Sequence, residues 1–272
     1  MFNAVALLGT LTGIFLAAGF LIGGVFGMTA ALVIAFIINF ISYWYSDRIV
    51  LRLYRARPSK SVRLGSIVSR LSKEAKIPKP RLYVIPQKVP NAFATGRDPA
   101  HSAVAVTEGL LEFDDDEIEG VVAHELAHIR NRDVLVQTLA ATIGGAIAYL
   151  AQIGYWSLLM GNRRDGGGNL VGLVLVIIFA PLAAMLIRLA ISRSREYRAD
   201  RTGAYFSKNP NGLASALERI SKYTEERPMR GSNATSHMWI VNPFRDDWFT
   251  RMFSTHPPVH DRIRKLREMH LD

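Results

Sequence analysis

The chain has no cysteine among its 272 residues. That excludes disulfides and thiolate ligands, so any metal site must be built from histidine and carboxylate. Charge is also missing, and in particular places. Residues 1 to 46 contain no Asp, Glu, Lys or Arg, and two later stretches, Val134 to Asn162 and Gly166 to Ile187, are equally bare. No basic n-region precedes the first apolar run, which argues against a cleaved signal peptide and for a retained anchor. The net charge of +10 comes without an aromatic-rich basic motif, so nothing points to nucleic acid.

The apolar runs themselves set the organisation. Ala4–Phe26 and Met28–Tyr45, parted by a Gly-rich joint near Gly27, each approach the ~20 residues that cross a bilayer core. With the two later runs they predict four transmembrane helices in two hairpins. From Arg48 to Arg81 there are 11 Lys or Arg against the single acid Glu74. This is the positive-inside pattern, and it puts that segment on the cytoplasmic side, within reach of anionic headgroups. The expected layout is a transmembrane hairpin at 1–46, a cytoplasmic part at 47–133, a second hairpin at 134–190 and a second cytoplasmic part at 191–272. Both termini are then cytoplasmic, and the chain is a mainly α integral membrane protein.

His124-Glu125-Leu126-Ala127-His128 spells H-E-x-x-H. In a chain with 7 His and this many Glu the pattern arises by chance about 1% of the time. Its surroundings fit a helix: Asp114 and Glu117 form a capping-box pair, and Ile118, Val121, Val122, Leu126 and Ile129 recur at helical spacing. On a helix His124 and His128 share one face and converge on one ion, with Glu125 beside it to handle a proton. That arrangement suits a zinc hydrolase with one Zn²⁺ per chain.

An even number of crossings brings residues just after the fourth span back to the membrane surface beside this helix. A third ligand is expected there, and Glu196 and Asp200 stand at i and i+4 on a predicted helix. One carboxylate can bind the metal while the other accepts a histidine N–H. Spacing alone does not decide which does which. Neighbouring Arg193, Arg195, Arg198 and Arg201 could instead pair with both as on an ordinary solvated helix.

These segments, with Asn131-Arg132-Asp133 after the second histidine, His256-Pro257-Pro258 near the end and Pro90-Asn91-Ala92-Phe93-Ala94-Thr95-Gly96 upstream, resemble the HtpX family of membrane zinc metallopeptidases. The family is related to the CAAX prenyl proteases. The resemblance covers essentially the whole chain. It implies a gluzincin-like α+β protease domain with a small sheet beneath four spans. It also implies a bacterial inner-membrane enzyme that cleaves damaged or misassembled membrane proteins from the cytoplasmic side. By position, His124, His128 and Glu196 are similar to the family's zinc ligands and Glu125 to its general base. Asp200 matches the residue behind a ligand histidine, His256 a residue that stabilises the oxyanion, and Arg262 its supporting arginine. Asn91, with Ala92 and Phe93, matches the substrate-binding edge strand.

Arg81–Ile85 and Ala103–Thr107 read as short strands, and Asn91–Thr95 either as an edge that pairs with an extended substrate or as a plain loop after Pro90. Asn209-Pro210 opens a scaffold helix carrying Leu213, Leu217 and Ile220. The stretch Met238–Val241 with Phe244, Trp248, Phe249 and Phe253 is either protein core or a membrane-interface element. His101, His237, His260 and His270 are expected at the surface. The competing readings are an intramembrane metalloprotease, which the charges at Asp114–Glu119 and Arg130–Asp133 disfavour, and an inactive scaffold, which the intact Glu125 disfavours. A CAAX-type protease is disfavoured because four spans are too few for its closed chamber.

Overall fold

The computed structural model describes residues 2–140, 193–229, 233–244 and 257–271. The later expected spans, beyond a helical start at 134–140, lie outside the described residues, and so does His256. The apolar N-terminus forms helix α1, Phe2–Leu53. A straight helix of that length would hold Thr12 and Asn39 about 40 Å apart at 1.5 Å per residue. Instead Nδ2 of Asn39 donates to Thr12 Oγ1 at 2.9 Å and to the Leu8 carbonyl at 3.4 Å. The helix therefore doubles back, and Gly24, with φ +59°, stands in the left-handed region. The reversal falls at Gly24, three residues before Gly27 in the Gly-rich joint. The arm Gly24–Leu53 is long and apolar enough to cross a membrane, and it exposes Phe26, Phe36, Phe40 and Trp44. It also runs past Tyr45, where the apolar run ends. Its charged last turns are held by Asp47, which accepts from Arg81 at 2.6 Å.

Four strands follow: β1 Arg57–Pro58, β2 Arg81–Ile85, β3 Ala92–Gly96 and β4 Ser102–Thr107. Their order is β1-β2-β4-β3, with β2 and β4 parallel and both outer pairs antiparallel. β3 is thus an edge strand, not a loop. Period-two alternation splits the sheet between two cores. Ala92, Ala94, Val104 and Val106 face the main helical core, while Phe93, Ala103 and Ala105 face a smaller cluster with Val50, Leu51 and Trp239. Residues 238–241 and Phe244 are therefore protein core, which resolves that part of the aromatic stretch; Trp248, Phe249 and Phe253 lie outside the described residues.

Helix α2, Val62–Glu74, is capped by Ser61, whose hydroxyl accepts from Leu64 N at 3.2 Å, and it buries Leu64, Ile67, Val68 and Leu71. Helix α3, Asp115–Arg130, is the centre of the domain, buried almost throughout from Glu117 to Ile129. Its capping box is present, with the Asp114 N–H donating to Glu117 at 3.2 Å. Helices α4 (Arg193–Ser207) and α5 (Pro210–Glu226) pack against it, and α6 (Val259–Arg267) packs on α5 and α4. Asn209 caps α5 by accepting from Gly212 N at 3.1 Å, and Leu213, Leu217 and Ile220 are buried as scaffold. Part of the basic excess is spent on the α3 N-terminus, where Arg63 pairs with Asp115 and Arg70 with Glu119.

Candidate metal centre

One turn of α3 separates His124 and His128, so their rings meet edge to face with centroids 4.7 Å apart. Their Nε2 atoms lie 3.1 Å apart. α4 supplies the third group: Glu196 Oε1 is 3.4 Å from His128 Nε2, and Oε2 is 3.7 Å from His124 Nε2. Tetrahedral zinc with ligands at ~2.0–2.1 Å requires ligand atoms about 3.3–3.4 Å from one another. The separations of 3.1, 3.4 and 3.7 Å bracket that spacing, and all three residues are buried. The residues present fit the ion.

A close backbone approach brings α4 in. Glu196, Asp200 and Gly203 form one stripe at i, i+4 and i+7. A Cβ at Gly203 would stand 2.8 Å from the His124 backbone nitrogen, so glycine there lets the two helices touch. Asp200 then reaches behind the metal face, with Oδ1 2.9 Å from His124 Nδ1. Arg262 of α6 holds Asp200 bidentately, Nε to Oδ2 at 2.8 Å and Nη2 to Oδ1 at 2.7 Å.

A second carboxylate does the same for His128. Asp133 Oδ2 lies 3.4 Å from His128 Nδ1, and Arg198 Nη2 donates to Asp133 Oδ1 at 3.2 Å. Arg132, at φ +58°, turns the chain past the helix end so that the Asp133 N–H bonds the His128 carbonyl at 3.0 Å. Asp133 and Arg198 were missed as site residues; the available signal was an acid just beyond the second histidine in Asn131-Arg132-Asp133. Carboxylates on both Nδ1 atoms favour the Nδ1–H tautomer and leave the Nε2 lone pairs facing Glu196. Asp133 pairs with Arg198 and Asp200 with Arg262, while Glu196 lies against both histidines.

Burial is the largest influence on each titrating group here. It pushes Glu125 up to about 7, against the pull of His128. It would lower His128, but Glu196 and then Asp133 outweigh it and carry that histidine up to about 9. It lowers His124, with Asp200 opposing. It would raise Asp200, yet Arg262 prevails and holds that carboxyl at about 2. Arg262 is raised by Asp200 despite its burial. The Ala94 backbone lies near enough to Glu125 to pull its pKa down, which sets β3 beside α3 at that point.

The remaining expected site residues fall as follows. Asn91, Ala92 and Phe93 are buried; Asn91 and Ala92 lie at the outer edge of β3, and Phe93 points into the aromatic cluster against Tyr54 and Trp239. Arg262 touches Asp200 and, at 3.9 Å, Glu196. His101 and His260 are exposed, away from the centre.

The profile of peptidase family M48 matches residues 58–270. A Protease HtpX homolog of Pyrococcus furiosus is 53% identical over 274 residues, 98% of this chain and 94% of that one. Another, of Desulforapulum autotrophicum, is 50% identical over 269 residues, 96% and 87% of the two chains. Among solved structures, S. mikatae Ste24p aligns with a TM-score of 0.49 at 18% identity, over 97% of this chain and 63% of that one, a likeness too slight to bear on the site. From β1 to its last helix, and through relatives that span nearly its whole length, the chain belongs to peptidase family M48, with the HtpX proteases, and is a metallopeptidase.

Proposed function

We propose that this metallopeptidase is a membrane-anchored endopeptidase that cuts unfolded or misassembled membrane proteins at the cytoplasmic face. One observation carries the reading: a metal-ready group, a buried carboxylate and a sheet edge converge where an apolar hairpin ends. His124, His128 and Glu196 would hold one Zn²⁺, which when bound polarises a peptide carbonyl and acidifies a water. Glu125, poised near neutrality by its burial, takes a proton from the water side and returns it to the leaving amine. Asp200 and Asp133 keep the imidazoles oriented. Arg262 and Asn91 lie along the β3 edge as candidates to hold an extended chain, and His256 is the proposed oxyanion partner on the ground of resemblance.

The four-span layout, 1–46 and 134–190, belongs to the same proposal, supported by the uncharged runs and by the antiparallel arms of α1. No interaction with nucleic acid is proposed; the partners are the bilayer and polypeptide substrates. Casein and a model membrane protein, offered in detergent with zinc, test the chemistry. Glu125→Ala should cost about 10²–10⁴ in rate with zinc retained; equal cleavage by both proteins would sink the mechanism. Because the chain lacks cysteine, Asp165→Cys and Arg230→Cys provide unique labels. The layout expects them to react from opposite sides of the membrane.

A further inference from the structure

Beyond the 3-10 turn Asn233–Met238, the backbone comes up against the outer edge of β3. Three groups grip it there. The Ile240 N–H donates to the Ala92 carbonyl at 3.2 Å. The Ile240 carbonyl accepts from Arg262 Nη1 at 2.8 Å, and the Val241 carbonyl accepts from the Asn91 carboxamide at 2.7 Å. None of the three uses the Ile240 or Val241 side chain, so what is recognised is peptide backbone.

The location matters as much as the bonds. The Asn91 carbonyl points to β4, where it accepts from Thr107 N at 3.0 Å, so alternation turns the Ala92 and Ala94 backbones outward. The Ala94 backbone is the part of this edge that lies by Glu125, on the side where β3 packs against α3. The Ala92 carbonyl is the neighbouring outward-facing group on the same edge, about 5 Å from the Ala94 N–H. A polypeptide laid along β3 past Glu125 would need an acceptor for its N–H at Ala92 and donors for its carbonyls at Asn91 and Arg262. The chain already fills all three.

We propose that Ile240–Val241 is an internal occupant of the peptide-binding edge, which a substrate must displace before cleavage. The proposal rests on the endopeptidase reading above. Displacement has to draw the Ile240 and Val241 side chains out of the main core, while Trp239 next to them stays anchored in the other cluster. Trp239 is buried in the aromatic cluster, its ring 5.0 Å from Phe93 and 4.9 Å from Tyr54, with Nε1 donating to Tyr54 Oη at 3.3 Å. The Trp239 N–H returns to the Ser236 carbonyl at 3.2 Å, a turn that takes the chain off the edge immediately before Ile240. The occupant therefore covers the Ala92 end without laying extended backbone across the metal group, which accounts for its surviving beside a protease site.

The full-length protein in detergent, loaded with zinc, provides the test. In Glu125→Gln, which holds substrate without cutting, unfolded casein is added and amide exchange is followed at Ile240. The proposal expects a protected amide in the free protein that exchanges at least about tenfold faster once casein is bound, as loss of a ladder bond entails. Casein that binds, by fluorescence anisotropy, with Ile240 protection unchanged or increased overturns it and leaves the endopeptidase reading standing. Wild-type protein that does not cut casein overturns the endopeptidase reading instead, and this proposal with it. Separately, Ile240→Pro removes the donor to Ala92. At unchanged zinc content its KM for casein should fall about two- to tenfold, the worth of one net backbone hydrogen bond. An unchanged or raised KM overturns the proposal.

Discussion

His124 and His128 each turn a ring nitrogen to a carboxylate backed by an arginine, yet the two supports are built from different materials. The His124 support, Asp200 with Arg262, joins residues from three helices far apart in sequence, and its guanidinium is 1% exposed. The His128 support is local: Asp133 lies just past the end of the same helix, and its partner Arg198 is 55% exposed. The first is part of the core and the second is a bracket at the surface. The same chemistry thus does two jobs. Behind His124 it couples the metal site to the stability of the fold. Behind His128 it adjusts one ligand while leaving the fold nearly independent of it.

Substitutions can break this comparison. The largest effect should come from Asp200→Ala, which strands the buried Arg262 charge. A loss of about 3–5 kcal/mol is expected, seen as a large drop in Tm together with lost zinc; a variant as stable as wild type would refute the core role. Asp133→Asn keeps the shape and removes the charge. It should weaken zinc about 10–100-fold, measured by chelator competition, with little change in Tm.

Acidity separates the two supports further. A ligand histidine must lose its proton to bind metal, and the carboxylates around His128 raise its pKa to about 9. In chelator-stripped protein, zinc affinity should therefore rise with pH by about tenfold per unit for that proton, levelling near 9. The sign follows from the raised value: below it the proton competes with the metal, and above it the competition ends. Asp133→Asn, by removing one of the charges that raise His128, should move the plateau to lower pH. A pH-independent affinity would show that His128 is not held protonated. The smallest effect belongs to Arg198→Ala, about 0–1 kcal/mol and weakened by salt, because its partner charge is reachable by water.

How much of this was legible depended on whether the cause was local. The capping box and apolar spacing around His124–His128 identify α3 from a short window, and β-branched runs identify β2 and β4. Glu196 and Asp200 could be placed near the histidines by counting apolar runs, but not told apart by spacing; that needs the direction in which α4 crosses α3. The crossing is set by Gly203, whose sequence neighbours Thr202 and Ala204 give no hint that its missing Cβ admits His124. Asp133 was visible as a helix terminator, and only the left-handed turn at Arg132 makes it a partner of His128. The aromatic run at 238–241 could be core or membrane interface, because composition is the same in both; the Tyr54–Phe93–Trp239 cluster decides for core.

Arg262 also has a bearing on which polypeptides are worth cutting. Its guanidinium holds Asp200 and the Ile240 carbonyl at once. A peptide that takes over the positions of Ile240 and Val241 inherits bonds already made there, so for those contacts the exchange is close to free of gain or cost. Net affinity has to come from residues that reach farther along β3 than the occupant does. Short peptides, able to replace only what they evict, would be poor competitors, whereas a long unstructured chain could pair along the whole edge. The strand edge would then select by length, a sieve that passes over small cleavage products and favours chains that have lost their fold.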